Sequence, residues 1–70
     1  MTFVEVPDVR ERREAAGLTQ PQLALVAGIG LTTLRNVESM RPCTLETVFR
    51  LADALNVDPA EWISYAPALT

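Results

Sequence analysis

Gly28 separates two short stretches that each read as a helix, and this arrangement constrains the chain more than any other feature in it. On the N-terminal side, Thr19 followed by Gln22 forms a capping box. The threonine hydroxyl accepts from the amide three residues on, and the glutamine side chain reaches back to the threonine amide. Pro21 falls in the first turn, where a missing amide donor leaves nothing unpaired. The box predicts a helix over 20–27 with Leu23, Ala24 and Ala27 on one face. On the C-terminal side, Leu31, Leu34 and Val37 recur at helical spacing and predict a second helix ending near Glu38 or Ser39. Only Gly28, Ile29 and Gly30 join the two. So sharp a turn needs a residue free to take positive φ, and Gly28 supplies it.

Two helices joined by a turn of three or four residues containing glycine make a helix-turn-helix unit. The remaining signals surround it with three more short helices. Asp8 and Glu11 form a capping box for a helix over 9–16, closed by Gly17. Met40 to Cys43 reads as a loop broken by Pro42. Thr44 caps a helix over 45–55, whose apolar face is Leu45, Val48, Leu51, Ala52 and Leu55. Asn56 stops it and Val57 turns inward. Asp58, Pro59 and Glu61 then stand at the N-cap, N1 and N3 positions of a fifth helix running to Ser64. The expected fold is all-α, a compact bundle of five short helices over residues 8–65, with a loose tail over 66–70. Residues 1–7 form an arm in which Phe3, Val4 and Val6 have strand propensity until Pro7 stops the run. Two readings of the arm stand open: a frayed end, or a β-arm that pairs across a dimer. Trp62 and Tyr65 are expected at the core and its edge, or on a dimer patch.

Seventy residues allow one domain, which buries only about 60% of its unfolded surface. The 49% apolar content is enough for one core and argues against disorder. No apolar run reaches the roughly 20 residues of a membrane span, and the N-terminus lacks the basic start and apolar stretch of a secretory signal. A cytoplasmic protein without a membrane partner is expected. Cys43 is alone and there is no histidine, so no disulfide, metal or cofactor is expected. Without a glycine-rich phosphate loop or a nucleophile–base set, an enzyme with a small-molecule substrate is not expected either. The net charge of −3 is unevenly spread. Over residues 1–41, Arg10, Arg12, Arg13, Arg35 and Arg41 balance Glu5, Asp8, Glu11, Glu14 and Glu38. From 42 onward Arg50 faces Glu46, Asp53, Asp58 and Glu61, and no acid lies between Ala15 and Val37. The middle of the chain is therefore open to an anionic partner.

The run GLTQPQLALVAGIGLTTLRNVE, followed by TLETVFRLADALNVDPAEW, resembles the Cro/repressor-type (lambda repressor-like) helix-turn-helix family over about residues 9–63. The resemblance implies a DNA-binding bundle whose third helix enters the major groove. Gln20 matches the glutamine that opens helix 2, meets a phosphate and buttresses the recognition helix. Leu31, Thr32 and Asn36 match base-facing positions, with Thr33 and Arg35 beside them in the expected DNA-binding set. Asn36 can pair with adenine, and Thr32 or Leu31 can touch a thymine methyl. Arg35 can reach guanine or a phosphate, and Arg41 sits where the family contacts the backbone. Arg13 and Glu38 match an internal salt bridge between helix 1 and the end of helix 3.

The implied function is a sequence-specific transcription regulator, a repressor of the phage Cro, antitoxin or restriction-controller kind. A single domain of this size needs a homodimer to span half-sites about 34 Å apart, which implies a palindromic double-stranded operator. The rival reading is a protein-interaction module with weak or no specific DNA binding, using the acidic C-terminal half and the apolar Leu31. Four residues depart from the family pattern. Gly30 replaces a capping Ser or Thr, Leu31 a polar reader, Met40 a glycine, and Arg12 an apolar residue. With few polar readers, specificity rests partly on DNA shape.

Overall fold

The computed structural model describes residues 3–63. In chain order these are β1 (Phe3–Val4), α1 (Val9–Ala15), α2 (Gln20–Ala27), α3 (Leu31–Glu38), β2 (Cys43–Thr44), α4 (Leu45–Leu55) and α5 (Pro59–Ile63). The bundle is lambda repressor-like in its five helices, with a small antiparallel ribbon added. Both halves of the Thr19 box form: Gln22 N–H donates to Thr19 Oγ1 at 3.2 Å, and Thr19 N–H donates to Gln22 Oε1 at 2.8 Å. Thr44 caps α4 by accepting from the Thr47 amide, and Asp58 caps α5 by accepting from the Ala60 amide at 2.9 Å.

The first four helices end in the same way. An amide just past each helix donates back to a carbonyl in its last turn: Leu18 to Arg13, Ile29 to Ala24, Arg41 to Asn36 and Val57 to Ala52. This closure puts one residue in the left-handed region. Those residues are Gly17, Gly28, Met40 and Asn56, with φ of 74°, 72°, 66° and 59°. Gly28 is constrained twice over, because a Cβ there would lie 3.0 Å from Arg50 Nη1.

One core serves the whole domain. Leu23, Leu34, Leu51 and Trp62 are its largest helical members, and each is almost fully buried. α4 packs against α1, α2, α5 and both strands, while α2 and α3 pack on each other. The core also takes in Val4, Val6 and Val9.

Three details differ from the sequence reading. Phe3–Val4 pairs antiparallel within the chain, a pairing the sequence reading did not include, with Phe3 opposite Thr44 and Val4 opposite Cys43. The driving term is burial of Val4 and Val6, each worth about 1.5–3 kcal/mol. The stretch read as a loop up to Cys43 thus ends in β2. Asp8 makes no side-chain cap to α1. Its carboxylate instead accepts from Arg12 Nε at 2.7 Å and from Trp62 Nε1, fastening α5 to α1. α1 also stops at Ala15, one residue short. The expected end of α5 at Ser64, Tyr65 and the 66–70 tail lie outside the described residues.

Candidate nucleic-acid interface

Glu38, the last residue of α3, organises the site. Its side chain is 1% exposed and that of Arg13 is 11% exposed. Arg13 Nε donates to Oε2 at 2.7 Å and Nη2 to Oε1 at 3.2 Å, while Nη1 donates to the Leu18 carbonyl at 2.8 Å. Gln20 Nε2 donates to Oε1 at 3.0 Å. One carboxylate therefore joins α1, the start of α2 and the end of α3. Burial alone would raise the Glu38 pKa, but hydrogen bonds from Arg13 and Gln20 and the Arg13 charge outweigh it and hold the carboxyl below its usual range. Gln20 is thus spent partly on the interior, where it steadies the end of α3.

α3 turns Leu34 and Val37 into the core and Thr32 and Arg35 to solvent, with Leu31, Thr33 and Asn36 half-buried. Thr32 and Asn36 are one turn apart and lie opposite Leu34. Among the described residues, Thr32, Thr33, Arg35 and Asn36 have no side-chain hydrogen-bond partner, so their polar atoms are available to an outside ligand. Leu31 is half-buried yet outside the core cluster. Gly30 leaves α3 without a side-chain cap. Beside α3 runs an open groove of about 260 Å³, where Thr33 and Asn36 face Phe3, Thr44 and Thr47. Those three neighbours were not read as part of the site from sequence, because the long-range ribbon brings Phe3 and Thr44 to α3 and the packing of α4 brings Thr47.

The arginines differ in their partners. Arg12 pairs with Asp8, Arg13 with Glu38 and Arg50 with Glu46. Arg35 and Arg41 are exposed and have no ion pair among the described residues. Arg10 is 61% exposed on its side chain and stands 3.6 Å from Glu38 Oε1. The sequence reading gave Arg10 no role. Its spacing of three from Arg13, on the same helix face, was the available signal. Cys43 lies buried in β2, and desolvation pushes its thiol up to about 11, so it stays a protonated packing group. Among the described residues no group of His, Cys, Asp and Glu is arranged to hold a metal, and no helix is long and apolar enough to cross a membrane.

No curated protein matches the chain. Among solved structures, it is similar to the restriction-modification controller protein C.AhdI from Aeromonas hydrophila. The two share 36% identity at a TM-score of 0.70, over 77% of this chain and 83% of that one. The helix-turn-helix family profile matches residues 9–62. That match takes in α1 through nearly all of α5, with the Gly28 turn and the Glu38 clamp inside it, and the chain belongs to the helix-turn-helix family in its Cro/repressor type.

Proposed function

We propose that this chain is a sequence-specific, non-enzymatic transcription regulator that binds operator DNA as a homodimer and represses or controls from it. The observation that carries the reading is the outer face of α3. Thr32, Arg35 and Asn36 have no internal partners, and they sit on a helix clamped at its C-terminal end by Glu38. Family membership supports DNA as the ligand, and the similarity to a restriction-modification controller protein supports a regulatory role. In this reading α3 enters the major groove. Asn36 pairs with adenine, Thr32 and the exposed part of Leu31 touch thymine methyls, and Arg35 reaches guanine or a phosphate. Thr33 flanks the groove wall. Gln20 and Arg41 meet the backbone from either side, where helix starts and arginines both favour phosphate. A homodimer places two α3 helices about 34 Å apart on a palindromic site. The setting is the cytoplasm.

The test is fluorescence anisotropy with the DNA flanking the gene, across a salt series and against competitor duplex. Tight binding that survives competitor and weakens steeply with salt establishes the reading. Binding no tighter than to random duplex replaces it with a protein-interaction module. For that role the exposed Leu25 and Val26 of α2, at 83% and 62%, supply an apolar surface.

A further inference from the structure

We propose that Arg10 is a further DNA-backbone ligand, holding a phosphate beside Gln20 at the start of α2. The proposal rests on the DNA reading above and adds a contact outside the helix-turn-helix itself. Arg10 Nε and Gln20 Nε2 converge on the same atom, Glu38 Oε1, at 3.6 and 3.0 Å. One phosphate can therefore accept from both side chains.

The Glu38 carboxylate is held mainly by Arg13 and Gln20, and Arg10 is its weakest and most distant partner. Its charge is matched by Arg13, and its oxygens already accept three closer bonds, two from Arg13 and one from Gln20. At 3.6 Å the Arg10 contact is beyond hydrogen-bond length. The carboxylate is 1% exposed while Arg10 is 61% exposed, so the guanidinium stands in solvent above a carboxylate already neutralised from below. Two guanidiniums share this one carboxylate, and the Glu14 charge acts on the inner one, Arg13. Glu14, one turn along α1 from Arg10, is not within ion-pair distance of it. The first turn of α2 carries no acid, and the positive end of that helix dipole adds to the same field.

A purely structural Arg10 makes a different prediction from a phosphate ligand. The experiment compares the full chain with Arg10→Gln and Arg10→Lys, by anisotropy on the flanking DNA and on a random duplex. Salt is varied from about 50 to about 200 mM, and thermal melting is followed in parallel. For Arg10→Gln we expect the slope of log affinity against log salt to fall by about 0.9, so the loss of affinity over that range is about 3-fold smaller than for the parent. Affinity should drop by the same factor on both duplexes, with melting unchanged. Arg10→Lys keeps the slope, because a point charge still meets a phosphate. A parental slope in Arg10→Gln overturns the proposal, as does a lowered melting temperature with that slope unchanged. If the parent chain itself shows no preference for the flanking DNA but Arg10→Gln still lowers the slope, operator reading fails and the phosphate contact stands.

Discussion

Arg13 grips both oxygens of Glu38 from a position 25 residues away in the chain, and the pair is almost entirely shielded from water. The fork geometry of the guanidinium matches the carboxylate, and charge assistance shortens the closer bond to 2.7 Å. α1 contributes nothing to the outer face of α3. Through this bond it nevertheless sets where that face points.

Removing one partner should be far worse than the pair's net worth. Glu38→Ala leaves the Arg13 charge buried without a counter-ion and frees Gln20 from α3. Breaking a buried pair this way destabilises by about 3–5 kcal/mol, against a total of about 5–15 kcal/mol for a domain. Urea unfolding should show a large drop in midpoint. A midpoint within error of the parent would show that the clamp carries little.

The same carboxylate sets an acid limit. The folded Glu38 pKa lies below its unfolded value, so the group's stabilisation is fully present above the unfolded pKa of about 4.3 and is lost as pH falls through the folded value. Melting temperature should therefore fall on acidification below about pH 4. In Glu38→Gln that part of the acid limb should be absent, with a lower plateau at neutral pH. An identical acid limb in both would assign the loss to other carboxylates.

The helices were legible because their signals are local. The Thr19 box fixes the start of α2, and the 3.6-residue apolar period with Thr44 and Asn56 fixes both ends of α4. Glu38 and Arg13 came from the family resemblance, since no local rule pairs residues so far apart. What stayed hidden depends on distant partners. Asp8 carries an N-cap sequence, yet Arg12 and a tryptophan 54 residues away compete for its carboxylate and win. The two-residue strands carry no turn signal, because Val4 and Cys43 are joined by most of the fold and not by a hairpin.

That ribbon makes the first residues part of the core. Val4 and Val6 are 0% and 1% exposed. Each Val→Ala change removes two buried methyl groups and leaves a small void, for a loss of about 2 kcal/mol. Chemical denaturation of Val4→Ala and Val6→Ala measures this directly. Losses below about 0.5 kcal/mol, the range of surface substitutions, would mean the arm is not docked in solution.

Met40 occupies a left-handed position at φ 66° that glycine would take more easily. An L-residue there costs about 1–2 kcal/mol, while glycine gives back about 0.4–1 kcal/mol through the freedom of the unfolded chain. Met40→Gly should therefore stabilise by up to about 1 kcal/mol, since the half-exposed methionine side chain contributes little packing. Met40→Val should destabilise, because a branched Cβ resists positive φ. The order glycine, methionine, valine in urea midpoint is the readout, and any other order contradicts the strain argument.

Asn36 and Arg35 separate reading from folding. Both side chains lack internal partners, so truncation to alanine should leave stability within about 0.5 kcal/mol. If Asn36 makes a bidentate bond to a base, Asn36→Ala should lose about 1–3 kcal/mol of discrimination, roughly fivefold to 150-fold in operator preference, and relax specificity at one base pair. Arg35→Ala should do the same at a guanine position. If Arg35 meets a phosphate instead, affinity should fall alike on every sequence and the salt slope should shrink by about 1. Binding by both variants to a set of operators with single base-pair changes, with melting curves alongside, distinguishes the cases. Unaltered operator preference in both would move base reading off the outer face of α3, and unfolding of both would show these side chains to be structural.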